Sequence, residues 1–173
     1  MGNALDGTGS SDSLTIAKAN PARTVLTRFI TPLNRSDRPG RWQKYYQKWE
    51  CATRSRLPIA HLDIVPALAR FVPPATVIDK AAYSAFSGTD LARFLLSKSV
   101  GTLIITGAET DVCVLSTVLD AVDIGFRVIV VEDGLCSSSN EGHDALMMLY
   151  RNRYSEQIEL MSHSEVLELW QDQ

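Results

Sequence analysis

The chain has 173 residues, 45% hydrophobic and 21% charged, which is enough for one domain with a sizeable core. Its 17 Lys and Arg against 20 Asp and Glu leave a net charge of −3 and no basic stripe, which argues against a nucleic-acid partner. No apolar run approaches the roughly 20 residues needed to cross a bilayer, so no membrane partner is expected.

Residues 1–13 are small, polar and Gly/Ser-rich and read as a flexible start or loop of one domain spanning 1–173. They hold no basic region followed by an apolar core, the pattern of a secretory leader. "TVLTRFI" (24–30) is a β-branched run that reads as a buried strand. Residues 31–50 begin as a Pro/Gly loop and then gather Trp42, Tyr45, Tyr46 and Trp49 at helical spacing. That spacing suits one packed helix face, and a pocket wall or subunit contact is the alternative. "LDIVPALARFV" (62–72) predicts a short helix with Pro66 in its first turn, and "ATVIDK" (75–80) a second strand. "TDLARFLLSKS" (89–99) predicts a helix N-capped by Thr89. "GTLIITG" (101–107) is a third strand, whose unbroken apolar run suits a parallel strand covered on both faces. "DVCVLSTVLDAVDIG" (111–125) is a helix that turns Val114, Leu115, Val118, Leu119 and Val122 inward and stops at Gly125. A fourth strand (126–133), a helix (140–154), a fifth strand (157–162) and a closing helix (164–171) follow. Strands alternate with helices throughout, which is the signature of an α/β domain built on a parallel sheet.

In such sheets ligands bind beyond the carboxyl ends of the strands. Two residues fall there. Lys80 ends the second strand, and Cys113 lies just past the third, in the first turn of the next helix. First-turn amides and the helix dipole favour a thiolate, and a nearby ammonium would favour it further. A thiolate beside a lysine suits nucleophilic attack on an acyl carbon. Against this, lone cysteines are commonly packed as small apolar residues, and pattern alone leaves Cys113 nearer that reading. The three cysteines (Cys51, Cys113 and Cys136) are odd in number and widely spaced, which suggests reduced thiols in a cytoplasm.

The wording around these residues tips the balance. "VIDKAAYSAFSGTDL" followed by "LIITGAETDVCVLSTVLDAVDIGFRVIVVED" closely resembles the isochorismatase-like cysteine hydrolase family, and the likeness extends to "ARTVLTRFITP", "PGRWQKYYQKWE" and "SSSNEGHDALMMLY". The resemblance implies a three-layer α-β-α sandwich with a mostly parallel sheet. It also implies hydrolysis of a small molecule through a covalent intermediate on the cysteine of an Asp–Lys–Cys triad. Carried to matching positions, Cys113 is the nucleophile and Lys80 the charge beside it. A non-proline cis peptide would fall at Ala108–Glu109, helping to aim backbone N–H groups, including that of Cys113, at an oxyanion. Arg28 and Phe86 are read, on position alone, as bordering the substrate pocket.

The family's third catalytic residue, an Asp closing the first strand, has no matching segment here. "LTIAKAN", before "PARTVLTRF", reads as the tail of the helix that would follow that strand. The sheet is therefore expected to lack the family's first strand and to carry unpaired strand edges. The chain would then be a truncated product, a protein that recruits another segment, or a non-catalytic descendant. Asp6 and Asp12 are the only acids upstream of "TVLTRFI", and neither follows an apolar strand, so neither is taken as the base. His61, His143 and His163 have no DxH or HxxxH companions, so no metal is expected, nor any cofactor. Three readings stand: an amide-type cysteine hydrolase, a non-catalytic homo-oligomer acting as an interaction protein, and a redox-sensing thiol.

Overall fold

The computed structural model describes the backbone of residues 8–171 and the side chains of residues 13–170. The elements, in chain order, are α1 (Thr8–Ala19), β1 (Val25–Phe29), α2 (Arg41–Lys48), α3 (Pro66–Ala69), β2 (Thr76–Lys80), α4 (Leu91–Ser97) and β3 (Thr102–Ala108). They continue with α5 (Leu115–Ile124), β4 (Arg127–Cys136), α6 (Asn140–Arg153), β5 (Ile158–Met161) and α7 (His163–Gln171). Every strand pairing is parallel, and the alternation of strands and helices is the α/β architecture expected.

β4 organises the core. Val128, Ile129, Val130 and Val131 are fully buried, and the period of two along a strand sends them alternately to opposite faces. Val128 and Val130 join a cluster with Val118 and Ala121 of α5, Leu91 and Leu95 of α4, and Leu146, Met147 and Tyr150 of α6. Ile129 and Val131 meet Ile16 of α1 and Val166 of α7 on the other side. Two helical layers thus enclose one strand layer.

That layer is divided. β1 pairs only with β2, while β3, β4 and β5 form a separate sheet in that order. β1 and β3 each keep one edge without a strand partner among the described residues. Burial follows the same division: the apolar centre of β4 is fully buried, whereas Leu103, Ile104 and Ile105 of β3 and Val25 and Leu26 of β1 are only half-buried. The unpaired edges expected from the missing strand are present.

Several local expectations need correction. Residues 8–13, read as loop, are helical, because α1 docks on β4 through Ile16 and Ala17 and packing overrides the weak propensity of a Gly/Ser sequence. Met1–Gly7, with Asp6, and the side chain of Asp12 lie outside the described residues. The helix expected over 62–72 shrinks to Pro66–Ala69, since Pro73 and Pro74 follow closely and the residue before a proline disfavours helical backbone. Thr89 is not the cap of α4. Asp90 occupies that position, and the Thr89 hydroxyl accepts from the Leu91 N–H at 3.3 Å while donating to the Ala85 carbonyl at 2.6 Å. Gly125 does end α5, with φ of 100°, a left-handed conformation that glycine adopts without penalty. Among the described residues no helix is long and apolar enough to cross a membrane.

Candidate active site

Strand parity sets the orientation of Lys80. It stands in register with Phe29, and Asp79 with Arg28, so the two pairs face opposite sides of the β1–β2 sheet. Lys80 is 5% exposed. A buried ammonium needs oxygen partners, and Nζ donates to the carbonyls of Ala82 at 3.0 Å and Tyr83 at 2.6 Å. It also lies 5.1 Å above the Phe29 ring. An ammonium has three donors, so these carbonyls leave one for another group.

Cys113 does not sit in a regular first helical turn. After β3 the Ala108–Glu109 peptide is cis, and Thr110–Val114 form a wide π-helical turn before α5 begins at Leu115. The Val114 N–H donates to the Glu109 carbonyl, five residues back, at 3.0 Å. Such turns are rare and are frequently found at functional sites. This one is held from the side by the loop between β4 and α6. Ser137 donates to Asp111 at 2.6 Å, Ser138 donates to Glu109 at 2.7 Å, and the fully buried Thr110 hydroxyl bonds His143 Nδ1 at 2.9 Å. Position 142 is glycine because a Cβ there would collide with the Asp111 carboxylate.

The loop after β2, whose carbonyls hold Lys80, meets the Cys113 turn. Tyr83, whose carbonyl holds Lys80, is half-buried, and its phenol is pushed up by burial and then by the electrostatic influence of nearby Cys113. Tyr45 responds in the same way, to burial first and then to Tyr83, Cys113 and Glu109. Trp42 packs against Tyr83 at 4.8 Å between ring centroids, and against Tyr45, Tyr46 and Phe29 at 5.4, 6.0 and 6.5 Å. The aromatics of α2 therefore divide. Tyr46 is buried packing, its phenol pushed up to about 12 mainly by burial, while Tyr45 remains 40% exposed beside the cysteine. A second link is hydrogen-bonded. The Thr117 hydroxyl accepts from the Ala85 N–H at 3.0 Å and donates to the Cys113 carbonyl at 2.8 Å. Tyr83 and Thr117 were not singled out in the sequence, and Tyr45 was named only within the set of α2 aromatics, for which a pocket wall was the alternative to packing. The only available signal was their spacing, Tyr83 three residues beyond Lys80 and Thr117 one helical turn beyond Cys113.

Two expected pocket residues lie elsewhere. Arg28 makes a two-pronged ion pair with Asp79 at 2.7 and 2.8 Å and reaches Asp63 at 3.5 Å, on the face opposite Lys80. Phe86 stacks on Phe126 at 6.0 Å and packs against the core. Arg28 holds the Asp79 carboxyl below its ordinary 3.8, chiefly through their hydrogen bond. A depressed carboxyl adds stability above its unfolded value, and that contribution disappears as pH falls through the lowered folded value. Both side chains are partly exposed, so the contribution is at most about 1 kcal/mol. In Arg28→Met the Asp79 carboxyl is expected to titrate higher by NMR, with stability at neutral pH falling by less than about 1 kcal/mol.

Cys136 pairs in register with Ala108, and its thiol is pushed up by burial and then by Glu109, which makes it a poor nucleophile. Cys51 is exposed, in the turn Glu50–Ala52. His163 lies at the start of α7, donating its N–H to Asp133 at 2.8 Å. Among the described residues no three His, Cys, Asp or Glu side chains gather as a metal site.

The structure is thus a parallel α/β domain with a cysteine in the turn after β3 and a buried lysine ending β2. The chain belongs to the isochorismatase-like hydrolase family: the model of the isochorismatase domain matches residues 10–162. It is 37% identical over 86 residues to an uncharacterized isochorismatase family protein of Bacillus subtilis, a stretch covering 50% of this chain and 47% of that protein. It is 52% identical over 54 residues to N-carbamoylsarcosine amidase of Arthrobacter, covering 31% of this chain and 20% of that enzyme. Each matched stretch is thus less than half of the relative's length. In fold it resembles a cysteine hydrolase from Pseudomonas syringae, with a TM-score of 0.77, 24% identity, and coverage of 95% of this chain and 80% of that one.

Proposed function

We propose that the chain is a cysteine hydrolase of small amide-like C–N bonds. One observation carries this reading: the Cys113 turn and the loop that holds Lys80 are joined through the Thr117 hydroxyl, beyond the carboxyl ends of β3 and β2. In the reaction, the Cys113 thiolate adds to the substrate carbonyl carbon and the amine leaves with a proton, forming a thioester. Water then adds to the thioester, releasing the acid and restoring the thiol. The Cys113 backbone N–H, in the turn that follows Ala108–Glu109, is the donor this scheme assigns to the oxyanion. The buried Lys80 ammonium favours the thiolate and the developing negative charge. Tyr45 and Tyr83 offer ring surface to an apolar or planar acyl group. The amidase likeness supports a C–N bond as the one cleaved. No cofactor enters this scheme, and a reduced thiol suits a cytoplasmic setting.

The test is to incubate the protein with a panel of small primary amides, carbamoyl compounds and nicotinamide, quench with acid and weigh the chain. A mass increase equal to the acyl group, mapped to the Cys113 peptide and absent after prior alkylation of that thiol, is expected. Turnover without any Cys113 adduct, or turnover surviving alkylation, would sink the proposal. The second reading, a non-catalytic homo-oligomer, rests on the divided sheet. It requires a defined oligomer by ultracentrifugation and neither an adduct nor turnover across the panel.

A further inference from the structure

The Thr117 hydroxyl bridges two segments that do not otherwise share a backbone hydrogen bond. Its oxygen accepts from the Ala85 N–H at 3.0 Å, and its proton goes to the Cys113 carbonyl at 2.8 Å. The second bond alone is ordinary, since helical threonines often bond the carbonyl one turn back. The first makes the difference, because Ala85 belongs to the loop whose Ala82 and Tyr83 carbonyls hold the Lys80 ammonium. The connection therefore runs from Lys80 Nζ to the Tyr83 carbonyl, along two residues of backbone to the Ala85 N–H, through Thr117 Oγ1, and to the Cys113 carbonyl. Ala85 is 1% exposed, so its N–H has little recourse to water if this acceptor is lost. Cys113 sits on a π-helical turn, where the regular helical ladder does not fix the backbone.

We infer that Thr117 is a positioning residue that sets the placement of the Cys113 thiol relative to the lysine-bearing loop, and with it the thiol's readiness to ionise. The inference rests on the proposed nucleophilic role of Cys113, but its direct readout is the thiol itself and not hydrolysis. Without the bridge, the loop and the turn relax independently. The Cys113 thiol is then no longer fixed relative to the loop that holds Lys80, and it reacts more slowly at neutral pH.

The experiment measures the alkylation rate of Cys113 by iodoacetamide against pH, in a Cys51→Ser/Cys136→Ser background. Thr117→Val keeps the shape of the side chain and removes both bonds. Its inflection is expected at higher pH than the parent's, with a rate at neutral pH lower by roughly three- to tenfold, the scale of one or two lost hydrogen bonds. Thr117→Ser retains both bonds and is expected to follow the parent profile. Superimposed Thr117→Val and parent profiles would overturn the inference, as would an equal displacement in Thr117→Ser. If Thr117→Val does not fold, the parent protein decides by amide exchange. A slowly exchanging Ala85 N–H supports the bridge, and exchange at the rate of an open loop refutes it. Hydrolysis by a Cys113→Ala variant separates the two ideas. Its survival removes the nucleophile proposal while leaving the alkylation result intact, and a shifted or unshifted alkylation profile leaves the nucleophile proposal untouched.

Discussion

Cys113→Ala is expected to reduce amide hydrolysis to the uncatalysed rate. The proposed route forms and breaks one covalent bond at Sγ, and neither other cysteine is suited to replace it: the Cys136 thiol is pushed up by burial and by Glu109, and Cys51 lies exposed in the turn Glu50–Ala52. In enzymes with a covalent nucleophile, loss of that residue costs on the order of 10⁶-fold in turnover. The drop measurable here is smaller, because the starting activity is itself limited. Among the described residues Lys80 is bonded to carbonyl oxygens and not to a carboxylate, so no acid is paired with it to shuttle the thiol proton. General acid–base assistance contributes about 10²–10⁴-fold, and a site without it starts that much lower. Steady-state rates on the best amide of the panel, compared between parent and Cys113→Ala, give the answer. Equal rates would place the chemistry elsewhere. Thermal unfolding should change little, since a half-buried thiol becomes a methyl group at the surface of its turn.

The sequence was a good guide wherever local pattern and burial coincide. The run 126–133 was legible as a strand, and its alternate residues Val128–Val131 do reach two separate helical layers, whereas 101–107, read as covered on both faces, is only half-buried along Leu103–Ile105. Gly125 declared the end of a helix, and Lys80 and Cys113 could be placed at strand ends by counting alone. What escaped was register between segments distant in the chain. Arg28 looked like a pocket residue because it ends a strand. Only the pairing Arg28↔Asp79 and Phe29↔Lys80 shows that it faces away. Phe86 looked like a pocket edge because it follows Lys80, but its ring turns inward onto Phe126. Tyr45 and Tyr46 are neighbours with opposite assignments, one beside the cysteine and one in the packing, and a helical wheel cannot say which neighbour each will meet. Thr117 acquires its role from Ala85, thirty-two residues earlier, a contact no local pattern encodes. The wide turn at Thr110–Val114 is likewise a product of tertiary anchoring, through Ser137, Ser138 and His143, imposed on a stretch that reads as ordinary helix.

The divided sheet has an energetic consequence, expected to appear as a contrast between adjacent strands. Ile129 of β4 is fully buried among Ile16, Val131 and Val166, with strands paired on both sides. Ile129→Ala removes buried methylene and methyl groups and leaves a cavity that paired neighbours cannot close. The expected cost is about 2–5 kcal/mol in denaturant unfolding, a large share of the ~5–15 kcal/mol typical of a domain. Ile104 of β3 packs against the same cluster but is only half-buried, on a strand with one unpaired edge. There water already reaches part of the side chain and the backbone has room to relax, so Ile104→Ala is expected to cost clearly less. Amide exchange should follow the same order, with the β4 ladder exchanging only on global unfolding and the β1 and β3 edges opening locally. If Ile104→Ala matched Ile129→Ala, and the edge amides of β3 were as protected as those of β4, the edge of β3 would be covered in solution. The candidate site would then stand on a continuous sheet, with the rigidity a preorganised nucleophile needs, and not on two half-sheets whose strand ends are held together by the loop and turn around Thr117.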